Sequence, residues 1–327
     1  MKKIYNFLKN KIISNFNLLN IFFYYGGPIS TGVVRFSIGF CSFVYAHNSL
    51  KMVNYLFNEN SILSKNSIFL SNPDFSILND VYDPFIIEIF LKITIIFCLL
   101  MMVGLFSRFS TLLTLIGIVS IKNHEVYSNF CSGGAVLLCN ILLFLCFSNS
   151  GSAFSLDRWI KIKLGYLNKD NFEKIPLWPK NLIGFQVFSM YVSCVFFKLL
   201  DPAWLNGRGV YYAFKSQYSM NSLPDFLTLP PFTVIATYGT ILLEIFIPFS
   251  FINRKWMKYA LPLGVLLHSM MYYCLNIGIF SLAVICSYTA LLSDKDYAEI
   301  FKRMKMVKFL FKRKLEEVFC VEVARLH

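Results

Sequence analysis

Apolar residues in this chain come in long runs, and the polar residues gather between them. A helix needs about 20 residues to cross the hydrocarbon core, and fewer when it is tightly bundled. Eight runs meet or approach that length, at about 31–50, 86–105, 109–122, 133–149, 183–200, 232–252, 257–275 and 278–293; the third, fourth and last are short. The pattern predicts an all-α fold: a polytopic transmembrane helix bundle of about eight spans over 31–293. A basic amphipathic cytoplasmic lead-in, residues 1–30, precedes it, and a basic cytoplasmic tail, residues 294–327, follows.

The charges between the runs give the orientation. Cytoplasmic loops are enriched in Lys and Arg. Lys2, Lys3, Lys9 and Lys11 place the N-terminus inside, and residues 51–85, with Glu59, Asp74, Asp80 and Asp83 against Lys51 and Lys65, then fall outside. Arg108, the Lys-rich stretch 150–182 and the Arg254–Lys255–Lys258 turn fall inside, as does the tail with Lys302, Arg303, Lys305, Lys308, Lys312, Arg313 and Lys314. An even number of spans with both termini cytoplasmic satisfies every loop. The tail alternates basic and apolar residues at helical spacing, which suits a helix lying on the anionic inner leaflet. The N-terminus lacks a small-residue cleavage site after a clean apolar stretch, so a removable signal peptide is not expected. Residues 201–231 are long enough for short helices over the bundle, with Pro224, Pro230 and Pro231 as breakers.

Composition fits this picture. At 56% hydrophobic and 15% charged residues, with mean hydropathy +0.57, the chain cannot hide its apolar surface in one water-soluble core. The net charge of +13 follows from the cytoplasmic placement of Lys and Arg and does not point to nucleic acid. Nine cysteines lie scattered, mostly inside apolar runs, without CxxC pairs or metal-ligand spacing. They read as small buried side chains, and no metal is expected.

Within the expected bundle, several polar residues converge on one depth. Lys198 sits near the outer end of the fifth span, Asn123 and His124 where the third span emerges outside, and His268 in the outer half of the seventh. A lysine in a partly dry site is disfavoured as an ammonium ion, and a neutral amine positioned by imidazoles and an amide can take a proton from a hydroxyl. The competing reading is that Lys198 snorkels to the outer headgroups and His124 is interfacial. Glu244 lies near mid-membrane and calls for a partner, with His268 or an arginine as the candidate. Arg35, near the inner end of the first span, reads as a snorkelling side chain and Arg108 as an anchor. Trp204, Tyr211, Tyr212 and Phe214 recur at helical spacing as an interfacial aromatic group, and Gly207 and Gly209 allow close backbone approach beside Lys198, to a flat ligand or to a helix.

These residues carry a resemblance. KLLDPAWLNGRGVYYAF, the Asn123–His124 pair, VRFSIGF, GLFSRFS, FSLDRW and HSMMYYCLNIGIFS, taken in order over about 30–295, resemble the horizontally transferred transmembrane (HTTM) domain family, which includes the vitamin K-dependent γ-glutamyl carboxylases. CSGGAVLL is similar to the glycine pair of generic members, and the short format is similar to the SdpB-type proteins that help mature small secreted peptide toxins in bacteria. The resemblance implies that Lys198 is a catalytic base, with His124, Asn123 and His268 orienting it. It also implies that a reduced quinone of the vitamin K hydroquinone type binds near Trp204, Gly207, Tyr211 and Tyr212, with O2 and CO2 as co-substrates. The location implied is the cytoplasmic membrane of a bacterium.

Three functions follow. The first is a membrane enzyme modifying a peptide at the outer face. The second is a non-catalytic component for maturation or export of, or immunity to, a small secreted peptide. The third is a transporter-like bundle relaying protons through Glu244 and His268, which gains little because no internal repeat is visible.

Overall fold

The computed structural model describes residues 24–53, 76–78, 81, 83–126, 133–168, 172–220 and 224–304. Apart from a two-residue antiparallel pairing of Tyr25–Gly26 with Ile175–Pro176, its regular structure is helical. The helices are α1 (Ile29–Lys51), α2 (Pro84–Val103), α3 (Ser107–Val126), α4 (Gly133–Cys146), α5 (Leu156–Lys163) and α6 (Trp178–Leu200), followed by α7 (Pro202–Leu205), α8 (Gly209–Lys215), α9 (Pro230–Ile252), α10 (Met257–Cys274) and α11 (Phe280–Ser287). A 3-10 turn, Tyr288–Leu291, extends α11.

Each of the eight apolar runs folds as a helix. Four, namely α1, α2, α6 and α9, are long and apolar enough to cross a membrane. α6 starts at Trp178 and not at 183, because Pro179 fits a first helical turn, where an amide hydrogen is not needed. The run at 278–293 is broken into α11 and its 3-10 turn. Residues 1–23, most of 54–82 and residues 305–327 lie outside the described residues, so the lead-in, the first outer loop and most of the tail are not placed.

The chain forms two compact units, Met1–Leu291 and Leu292–His327. In the first, α1 is the central helix: 61% of its apolar stretch is buried, against 28% for α2, 17% for α6 and 33% for α9. α1 packs on α2, α4 and α11, while α6, α9 and α10 form a second group that α11 joins to the first. Gly134 explains one close approach. A Cβ there would lie 2.4 Å from the Phe280 backbone, so only glycine lets α4 meet the start of α11. In the second unit a helix over 294–304 opens on a reciprocal cap, with Ser293 N donating to Asp296 Oδ2 at 2.7 Å and Asp296 N to Ser293 Oγ at 3.3 Å.

One expectation is corrected by the packing of α1. Arg35 does not snorkel: it is fully buried, and its guanidinium donates to the carbonyls of Ser150 (2.7 Å), Phe154 (2.5 Å) and Met102 (3.5 Å). Gly104, at φ +71°, leaves the room; a Cβ there would lie 2.6 Å from the guanidinium carbon. Asp157, at the start of α5, then accepts from Phe106 N (2.7 Å), Ser107 N (2.8 Å) and Ser107 Oγ (2.7 Å), capping α3 from a distant part of the chain. VRFSIGF, GLFSRFS and FSLDRW thus meet in one clamp at the α2–α3 turn.

Candidate functional site

The site is built mainly on α6. Tyr191, Cys194 and Lys198 are spaced i, i+3, i+7 and share one face of that helix. α9 brings Glu244 opposite Lys198, α10 brings His268, and the turn after α11 brings Tyr288.

Lys198 Nζ donates to Glu244 Oε1 in an ion pair whose side chains are only 18% and 6% exposed. On another side the ammonium faces the Trp204 ring, 4.6 Å from its centroid. The partner of Glu244 is therefore Lys198, not His268 or an arginine. Pro248, one turn beyond Glu244 in α9, has no amide hydrogen for the carbonyl of residue 244, so the continuous helix lacks one backbone hydrogen bond at the buried carboxylate.

His268 is buried within a box of aromatic rings, with the centroids of Tyr191, Phe280 and Tyr288 at 6.1, 5.8 and 6.2 Å. Its Nε2 bonds the Tyr191 hydroxyl at 2.7 Å, and that hydroxyl also meets the Tyr288 hydroxyl. Gly264, one turn before His268, makes this possible: a Cβ there would lie 2.5 Å from the Tyr288 oxygen. Tyr191 and Lys198, two turns apart on one face of α6, join the aromatic chain and the ion pair into one cluster. Two of its buried atoms, Glu244 Oε2 and His268 Nδ1, have no hydrogen-bond partner among the described residues. A buried polar atom left unpaired costs about 1–3 kcal/mol, and a hydrogen bond to either atom would offset that cost.

The segment after α6 roofs the pair. Asp201 caps α7 through Ala203 N (2.8 Å), and Val210 N donates to Thr237 Oγ1 (3.0 Å) and Tyr238 Oη to the Leu205 carbonyl (2.9 Å), tying α7 and α8 to α9. Gly207, at φ +72°, packs against Tyr238 and Val234, and a Cβ on Gly209 would strike the Trp204 ring at 2.4 Å. The space at both glycines is thus taken up by the chain's own side chains. Tyr211 and Tyr212 are 36% and 51% exposed on α8.

Of the residues singled out in the sequence, Lys198, Glu244, Trp204 and His268 share this cluster. Asn123 lies on α3, which packs between α2 and α4; it is buried and accepts from Lys122 Nζ at 2.7 Å. His124 continues the same helix, and its side chain lies outside the described residues. Tyr191 and Tyr288 escaped notice because a tyrosine in an apolar run reads as packing. The i, i+3, i+7 spacing of Tyr191, Cys194 and Lys198 was the available signal. A groove of about 540 Å³ runs between α4 and α6, lined by Gly133, Leu137, Gln186, Ser189, Ser193 and Phe280. Phe280 is thus both a wall of the groove and a ring beside His268.

Apolar helices of spanning length enclosing an ion pair and a histidine define a helical membrane protein with a buried ionisable site. The sequence profile of the HTTM domain matches residues 27–296, and the chain belongs to the HTTM domain family. It is also similar to the sporulation-delaying protein SdpB of Bacillus subtilis (strain 168), 28% identical over 110 residues. That match covers 31% of this chain and 34% of the relative. No solved structure matches the chain.

Proposed function

We propose that the chain is a multi-pass enzyme of a bacterial cytoplasmic membrane that performs acid–base chemistry on a small secreted peptide at the outer face, with the Lys198–Glu244 pair at its centre. The observation that carries this reading is the ion pair itself. Paired charges inside a membrane protein are costly to desolvate and give little net stability, so their presence is better explained by chemistry than by packing. His268, held through Tyr191 and Tyr288, orients the reacting group, and in this reading the α3 end that carries Asn123 and His124 belongs to the outer half of the bundle. In this reading eight helices cross the membrane and both termini are cytoplasmic.

The residues fit a hydroxyl-bearing ring such as a reduced quinone. Glu244 Oε2 and His268 Nδ1 are unmatched polar atoms among the described residues, Tyr211 and Tyr212 supply exposed aromatic surface, and the Trp204 ring holds Lys198 in place; Gly207 acts here by packing the roof down. When bound, such a group supplies, with O2, the strong base that a γ-carboxylation with CO2 requires. The chain's own part is to hold the hydroxyl, move its proton and exclude water. The groove against Phe280 offers a lipid-soluble ligand a route beside the site.

The decisive experiment compares, by mass spectrometry, the secreted peptides of cells carrying the wild-type protein or Lys198→Ala at equal membrane abundance. A modification present with the wild type and lost with the variant, such as a gain of carboxyl mass on glutamate, is expected. Identical peptides in both would leave the second reading, which the similarity to SdpB favours: a non-catalytic membrane component for maturation, export or immunity of a small peptide.

A further inference from the structure

We propose that α5, with Phe106 and Phe154 beside it, is a docking surface for anionic phospholipid. Trp159, Ile160 and the two phenylalanine rings enter the edge of the acyl layer, and Lys161 and Lys163 meet the phosphate groups. Neither the chemistry at Lys198 nor the direction in which the chain crosses the membrane enters this docking.

The level of α5 follows from its ties. α2 is long and apolar enough to cross a membrane, so its end at Gly104 lies at one membrane surface. Asp157 N donates to the Gly104 carbonyl (3.0 Å), and the Asp157 carboxylate caps the start of α3. The first turn of α5 is therefore held at that surface.

The faces of α5 are reversed relative to a helix of a water-soluble protein, which buries its apolar side. Leu156, Trp159, Ile160 and Lys163 fall at i, i+3, i+4 and i+7 on one face, and all four are exposed. Arg158 falls on the opposite side. It is buried, donates to the carbonyls of Ser152 (3.4 Å) and Asn168 (3.3 Å), and lies over the Phe172 ring at 4.2 Å from its centroid. Charge turns inward and apolar surface outward, which suits lipid as the outer medium.

Phe106 and Phe154 point to the same medium. Both have φ +48°, and among the described residues no other residue except glycine is left-handed. Glycine would take that conformation without strain. The clamp uses only their backbone atoms, Phe106 N and the Phe154 carbonyl, while both rings are exposed. A strained backbone that carries an exposed ring calls for a role for the ring, and aromatic rings are favoured at the membrane boundary.

Charge selects the lipid. Lys161 and Lys163 are exposed, and neither has an acidic partner among the described residues; the acid of α5, Asp157, is engaged in the cap of α3. Lys163 Nζ lies 4.3 Å from the Trp159 ring centroid, so the stem covers apolar surface and the ammonium group stays at the level of the headgroups. Two uncompensated lysines beside an apolar face complement the phosphates of an anionic lipid.

The test reconstitutes the full chain in vesicles of phosphatidylglycerol and phosphatidylcholine, with bromine on the acyl chains of one lipid at a time. Bromine quenches tryptophan on contact, and the difference between the wild type and Trp159→Phe isolates the signal of Trp159. That signal is expected to report phosphatidylglycerol enriched about fivefold over phosphatidylcholine, the scale of one lysine near an anionic surface. The preference should vanish in Lys161→Gln with Lys163→Gln, survive in Lys161→Arg with Lys163→Arg, and shrink for the wild type in high salt. Equal quenching by the two lipids, or a preference that the lysine-to-glutamine pair leaves intact, would overturn the proposal. Absence of quenching by either lipid would overturn it too, and would mean that a protein covers this face. Phe106→Gly with Phe154→Gly keeps the backbone conformation and is expected to weaken the quenching; unchanged quenching would remove the two rings from the surface.

Discussion

Lys198 and Glu244 illustrate why a charge inside a membrane protein is interpreted through its partner. Each was conspicuous in the sequence, but they lie 46 residues apart and their pairing depends on how α6 and α9 pack. Removing one partner leaves the other buried and uncompensated, which typically costs 3–5 kcal/mol, about as much as many domains can spare. Lys198→Met should therefore lower the unfolding midpoint in detergent far more than Lys198→Met combined with Glu244→Gln, and the two single effects should not add. A double variant whose loss equals the sum of the two single losses would mean that the pair contributes no coupling. Tyr191→Phe should lose about 1–3 kcal/mol by the same measurement, because it removes the hydroxyl that joins His268 to Tyr288.

At the level of elements, the sequence located the helices and missed how their ends are tied. The eight apolar runs were visible because a continuous apolar stretch is a pattern local to each run. Arg35 and Asp157 could not be interpreted in the same way. Arg35 looked like a snorkelling side chain, yet its partners are backbone carbonyls more than 60 residues away, which no side-chain pattern announces. Asp157 stands in the first turn of α5, yet it caps the start of α3. Asp157→Ala should cost about 1–2 kcal/mol, the range for a lost helix cap, seen as a lower unfolding midpoint with Lys198 and Glu244 untouched. Gly134→Ala should cost a comparable amount by forcing the start of α11 away from α4.

For the whole molecule, the distribution of Lys and Arg leads to one prediction of orientation. If eight helices cross with both termini inside, Asn206 lies outside and Gly165 inside; both are exposed. In a background without reactive native cysteines, a membrane-impermeant thiol reagent added to intact cells should label Asn206→Cys and spare Gly165→Cys until the membrane is opened. Labelling of both before opening, or of Gly165→Cys alone, would reject that orientation.

The sequence alone determined that this is an all-helical membrane protein of the HTTM family, because spanning length, loop charge and motif order are all written along the chain. It also gave the expectation that Lys198 and His268 lie at one depth, since depth is a matter of counting residues. Tertiary structure decided who meets whom: Lys198 with Glu244, His268 with Tyr191 and Tyr288, Arg35 with the carbonyls at the α2–α3 turn. Those meetings depend on which faces of separate helices pack together. In this chain the packing turns on small features such as the glycines at 104, 134 and 264, whose missing Cβ atoms let helices and side chains approach where any larger residue would hold them apart.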